Sequence, residues 1–164
     1  MNSPFRVVRL DGPGRLPEAL DAIHRGFAQY RDRLVPPSAA LNETTDSLAR
    51  RLLDGAVLLA EDATGVVLGA VCAEIRADMV YLDRLAVPPA SRGRGVASTL
   101  VAAVEAFAAE AGARSVTLGV RLALPGNIAM FERLGYRESK RTAHPGFSEP
   151  TSMSMVKVLS ARLL

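Results

Sequence analysis

The stretch richest in chemistry is Leu85-Ala86-Val87-Pro88-Pro89-Ala90-Ser91-Arg92-Gly93-Arg94-Gly95-Val96-Ala97. An extended apolar run ends there, paired prolines bar its continuation, and a glycine-rich turn opens directly onto a long apolar helix pattern. These residue types build an anion site. Glycines let the backbone approach closely, so that successive N–H groups can converge on one phosphate. The unsatisfied donors and positive dipole end of the following helix add to the attraction. Arg92 and Arg94 supply full charges nearby. Taken alone, the Gly-x-Gly pair also suits a plain strand-to-helix turn with exposed arginines. It is not a Walker loop, because no lysine follows the glycines.

The residues able to take a proton from a substrate are Asp83, Tyr81, Glu74 and His144. Residues 81, 83 and 85 are expected on one face of their strand, because side chains alternate with period two. Asp83 has a plain alternative as the ion-pair partner of Arg84 or a neighbour. His144 lies in Ala143-His144-Pro145-Gly146-Phe147. A histidine can act as a base at neutral pH without special tuning, although a loop histidine is equally a surface residue.

The elements that must position these groups follow from hydropathy periods. Phe5 to Leu10 reads as an opening strand. Leu16, Leu20, Ile23, Phe27 and Tyr30 recur at helical steps until Pro36-Pro37. A second helix fits Thr45 to Leu53, capped by Thr44 or Thr45, with Leu48, Leu52 and Leu53 as its apolar stripe. Ala56 to Glu61 and Val66 to Ile75 flank the turn Asp62-Ala63-Thr64-Gly65, a hairpin signal, and Met79 to Val87 continues the series. Val96 to Ala111 is the strongest helix, with Val96, Leu100, Ala103, Val104 and Phe107 on one face. Ser115 to Val120, Asn127 to Leu134, Tyr136 to Thr142 and Ser152 to Leu159 follow as strand, helix, strand and strand. The order β-α-α-β-β-β-α-β-α-β-β predicts an α/β fold with a mixed, mostly antiparallel central sheet flanked by helices.

Composition narrows the function classes. With 164 residues, a single domain spanning 1–164 is expected. One cysteine excludes an intramolecular disulfide, and Cys72 in its apolar run reads as a buried structural thiol. His24 and His144 are too few and too far apart to suggest zinc, so no metal is expected. A net charge of +3 is too slight for a nucleic-acid-binding face, and aromatics at 5% leave little for base stacking, so no nucleic-acid partner is expected. Arg6 and Arg9 interrupt the start of the chain, and no apolar run approaches the roughly 20 residues of a membrane helix. The expected location is cytoplasmic, with no membrane contact.

Arg92-Gly93-Arg94-Gly95-Val96-Ala97, preceded by a strand ending Leu-Ala-Val and a proline, resembles the R/Q-x-x-G-x-G/A signature of GNAT acetyltransferases. Asn127-Ile128-Ala129-Met130-Phe131-Glu132-Arg133-Leu134-Gly135-Tyr136 looks like that family's second landmark, usually A-x-x-Y-E-x-x-G-F. The likeness is strong over residues 56–142 and holds elsewhere in element order alone. It implies an N-acetyltransferase that uses acetyl-CoA. The backbone of Arg92, Gly93, Arg94, Gly95, Val96 and Ala97 would wrap the coenzyme A pyrophosphate. Leu85, Ala86 and Val87 would pair with the pantetheine arm, and an N–H near Leu85 or Ala86 would meet the thioester oxygen. Asn127 and Phe131 would lie near the thiol end. The family's carboxylate base often lies on the strand of Asp83, and the loop of His144 borders the family's acceptor site.

The first two helices and their link 31–42, with Arg31, Arg33 and Pro36-Pro37, would wall a small-molecule or peptide amine acceptor, although these arginines equally suit a solvated surface. Homodimerisation is compatible with the family. One departure stands out: the tyrosine that usually serves as acid is Phe131 here, so an acyl-CoA-binding module of weak activity is the alternative.

Overall fold

In the computed structural model residues 4–160 are described. Four strands and three helices come first: β1 (Phe5–Arg9), α1 (Leu16–Phe27), α2 (Thr45–Asp54), β2 (Gly55–Asp62), β3 (Val67–Arg76), β4 (Met79–Ala86) and α3 (Val96–Glu110). They are followed by β5 (Ser115–Arg121), α4 (Pro125–Arg133), β6 (Arg137–Thr142) and β7 (Ser152–Val158). This is the expected order of elements, in a mostly antiparallel seven-stranded sheet ordered β1-β2-β3-β4-β5-β7-β6. The chain divides into two compact units, Met1–Glu74 with Leu82–Ala106, and Ile75–Tyr81 with Phe107–Leu164.

In the first unit, β2 pairs antiparallel with β1 and β3, through registers such as Val7↔Ala60 and Leu58↔Val71. Leu16, Ile23 and Leu48 from α1 and α2 are buried with Val57, Leu59 and Cys72 of the strands. The β2–β3 hairpin forms as its turn residues demand. The Asp62 carboxylate accepts hydrogen bonds from the amides of Thr64 (2.8 Å) and Val66 (3.0 Å), and Gly65 takes φ +84°. The buried Glu61 accepts from Arg6 (2.8 Å) and pairs with Arg15 (2.7 Å), joining β1 and the start of α1 to β2.

Three expectations are corrected here. Helix α1 stops at Phe27, and Ala28–Tyr30 tighten into a 3-10 turn. Leu53 is 86% exposed, not part of the apolar stripe. At about 100° per residue it lies well off the line from Leu48 to Leu52. The alternation along β4 also breaks, because Arg84 adopts a left-handed backbone at φ +55°. Asp83 and Arg84 therefore send consecutive side chains into one ion network, Asp83 to Arg51 and Arg84 to Glu43, and the face of Leu85 does not follow from counting along the strand.

In the second unit, β7 runs antiparallel between β5 and β6. Val116, Leu118 and Val120 alternate inward on β5, as Met153 and Met155 do on β7, and they are buried along with Phe131 and Tyr136. All six residues of β6 are exposed, its register shifts between Glu138 and Lys140, and Arg137, Glu138, Lys140 and Arg141 line it. Charges and a bulge keep such an edge from pairing with other strands.

Leu48→Ala should cost about 2–5 kcal/mol and lower the melting temperature by roughly 5–15 °C, because the side chain is fully buried. Leu53→Ala should change it little. Equal shifts in a thermal melt would contradict this packing.

Candidate active site

The end of β4 leads through Pro88 and a single 3-10 turn, Pro89–Ser91, into the signature. Ser91 and Arg92 donate backbone hydrogen bonds to the carbonyls of Pro88 (2.9 Å) and Pro89 (3.3 Å). Gly93 and Gly95 both take left-handed φ, +76° and +79°. Side chains rarely adopt that conformation, so glycine is required twice in three residues. Helix α3 starts at Val96, and Thr99 closes its first turn onto the Gly95 carbonyl at 3.1 Å. The N–H groups of Val96, Ala97 and Ser98 have no carbonyl within the helix to reach. They and the turn backbone form a concave set of donors in front of a fifteen-residue helix dipole. No atom lies within 4 Å of a Cβ built on Gly93, so the space beside the turn is open. A diphosphate fits this cradle chemically.

Arg94 is exposed, whereas Arg92 donates to the Val87 carbonyl (3.0 Å), Gln29 (2.9 Å) and the Gly26 carbonyl (3.4 Å). Leu85 is half-buried and Ala86 buried at the strand end that precedes the turn.

Asp83 belongs to a four-residue ion network. Its carboxylate meets Arg51 at 2.9 Å and Arg84 at 3.5 Å, and accepts the Arg84 amide at 3.0 Å. Arg51 and Arg84 both also reach the buried Glu43, at 2.7 and 2.9 Å. Ser47 donates to the same Glu43 carboxylate, and His24 of α1 bonds the Glu43 carbonyl at 2.9 Å. Burial pushes the Glu43 carboxyl up, but hydrogen bonds from Arg51, Ser47 and Arg84 outweigh it and hold the group at about 2. Burial pushes the Cys72 thiol up to about 12, which leaves it protonated and inert. Glu74 lies half-buried on β3, opposite Gly55.

In the second unit, register places the loop after β6 at the C-terminal end of β5, since Arg121 and Thr142 both pair with Ser152. His144 is half-buried there. Its amide donates to the Thr151 hydroxyl at 3.0 Å, and its Nδ1 bonds the same oxygen. Burial, with the Arg121 guanidinium adding to it, lowers the imidazole below its ordinary value and favours the neutral ring. Phe131 is buried edge-to-face against the fully buried Tyr136, with centroids 5.8 Å apart, so Tyr136 belongs to the core. Asn127 stands half-buried in the first turn of α4. Tyr81 is half-buried under the Arg76 guanidinium at 4.1 Å.

Sequence reasoning missed Glu43, Arg51 and Gln29. Glu43 sits between a 3-10 turn and a helix cap in a stretch without periodicity, and its partners lie 8 and 41 positions away. The one local signal was the pair Thr44 and Ser47, which form a reciprocal capping box.

The model of the acetyltransferase (GNAT) family matches residues 22–136. No curated protein matches the chain by sequence. Among solved structures, a PaiA N-acetyltransferase from Thermoplasma acidophilum in complex with coenzyme A is similar, with TM-score 0.77 and 16% identity, covering 97% of this chain and 100% of that one. A ribosomal-protein alanine N-acetyltransferase from Escherichia coli gives 0.75 at 18% identity, covering 96% of each chain. A spermidine N-acetyltransferase chimera from Vibrio cholerae gives 0.72 at 17% identity, covering 95% and 96%. At these identities the structures show a shared fold.

The Glu43 carboxyl is held below its unfolded value near 4.5, so its stabilisation is present above that pH and is lost as pH falls towards 2. The gap in melting temperature between the parent and Glu43→Gln should be widest near neutrality and narrow steadily below pH 4.5. A gap that does not vary with pH would rule out this role.

Proposed function

Because the chain belongs to the acetyltransferase (GNAT) family, we propose that it transfers an acetyl group from acetyl-CoA to a primary amine, by direct attack in a ternary complex. The observation that carries this reading is the turn with left-handed Gly93 and Gly95, opening onto the N-terminus of α3 directly after the end of β4. Acetyl-CoA supplies the acyl group as a thioester. The backbone from Arg92 to Ala97 holds the diphosphate, and Leu85, Ala86 and Val87 pair with the pantetheine arm. An N–H at Leu85 or Ala86 meets the developing oxyanion. Asn127 and Phe131 flank the thiol end. This chemistry needs no metal, and a single domain over 1–164 working in the cytoplasm suits it.

Simple amines are protonated at neutral pH, since their pKa is about 10, so attack requires a base. His144 is the base that its surroundings favour. Burial and the Arg121 guanidinium favour its neutral form, and Thr151 engages its Nδ1. The Asp83 carboxylate is committed to Arg51 and Arg84, and accepting a proton would weaken that network. Glu74 and Tyr81 are the remaining candidates. The acceptor is a small-molecule or peptide amine; the similar structures include enzymes named for spermidine and for a protein alanine.

A screen of amines for release of coenzyme A thiol tests the reading. The parent should turn over at least one amine, with the acid limb of kcat/KM below the ordinary histidine value of 6.5. His144→Gln should lower kcat/KM about a hundredfold and flatten that limb. Coenzyme A binding with no thiol release from any amine would favour the acyl-CoA-binding alternative, for which the buried Phe131 ring, without a hydroxyl to give, is the motive.

A further inference from the structure

Arg92 opens the signature turn, yet its guanidinium reaches back to the end of α1. Nε donates to the Val87 carbonyl at 3.0 Å, one terminal nitrogen to Gln29 Oε1 at 2.9 Å, and the other to the Gly26 carbonyl at 3.4 Å. The Gln29 amide itself donates to the Gly26 carbonyl at 3.2 Å, so Gln29 is held in place to receive Arg92. All three acceptors are neutral. The side chain is therefore held by neutral acceptors, and among the described residues no carboxylate pairs with it.

The backbones are equally close at this point. A methyl on Gly26 would stand 2.8 Å from Cβ of Ala86 and 3.1 Å from the Val87 nitrogen. Only glycine lets α1 sit so near the last residues of β4.

We infer that the end of α1 and the 3-10 turn that follows it are a positioning element for the anion turn: the Gly26 carbonyl and Gln29, acting through Arg92, hold the turn in its binding shape before the coenzyme A diphosphate arrives. This rests on the reading that the turn takes coenzyme A. A free arginine loses rotamer freedom when it meets an anion, whereas Arg92 has lost it on folding. The planar fork is essential, because three acceptors in three directions match a guanidinium and not an ammonium. The clamp also ties the turn to the helix that leads into the 31–42 link, so the cofactor turn and the proposed acceptor wall share one anchor.

The test pairs amide hydrogen exchange of residues 91–97 in the free protein with calorimetric titration of coenzyme A, for the parent, Gln29→Leu, Gln29→Glu, Arg92→Lys and Gly95→Glu. Gln29→Leu should speed exchange in the turn while leaving α1 itself unchanged, and should weaken coenzyme A about tenfold, the lower end for a lost bond to a charged group. Arg92→Lys should lose as much, although its charge is kept. Gln29→Glu, whose carboxylate accepts the same bond, should restore the protection. Unchanged exchange in both Gln29→Leu and Arg92→Lys would overturn the clamp. If Gly95→Glu still abolishes binding in that case, the cofactor reading stands without it. A parent that does not bind coenzyme A overturns both.

Discussion

The buried carboxylate of Glu43 is the contact on which the first unit depends. A carboxylate at 7% exposure is costly unless it is paired and hydrogen-bonded, and here Arg51, Arg84 and Ser47 all donate to it. Through its carbonyl the same residue holds His24. One position thus joins α1, α2 and β4. The network also holds Arg84 in a left-handed backbone, a conformation that costs a non-glycine residue about 1–2 kcal/mol. That residue stands immediately before Leu85, Ala86 and Val87. Removing Arg51 or Arg84 would strand a buried charge and destabilise this unit.

From there the chain needs few further devices. Pro88 and Pro89 end the strand, and two left-handed glycines aim the backbone at one point. Helix α3 adds its dipole, and Arg92 returns to α1. In the second unit the short β5–β7 and β6–β7 registers bring the His144 loop to the end of β5, where Thr151 orients the imidazole. The first unit thus holds a turn of converging backbone donors, and the second an imidazole whose neutral form burial favours.

The sequence made the order of elements legible because each element has a strong local signal. The Asp62–Gly65 turn, the paired prolines and the long periodic helix Val96–Glu110 fall where expected, within a residue or two. The signature turn was legible for the same reason, since glycine at 93 and 95 announces a backbone other residues avoid. The ion network was not legible. Its members are ordinary surface residue types, and nothing local marks Arg84 as left-handed, since it is neither glycine nor asparagine. The role of Arg92 was half legible. Its charge suggested a phosphate contact, but its partners Gln29 and Gly26 lie more than sixty positions away.

The most direct test is an NMR titration of the labelled protein with coenzyme A, following backbone amides. The account predicts saturable shifts centred on Gly93, Arg94, Gly95, Val96 and Ala97, accompanied by Leu85 to Val87, while β6 stays unperturbed. Shifts absent from the 92–97 turn, or spread over the charged β6 edge instead, would contradict it.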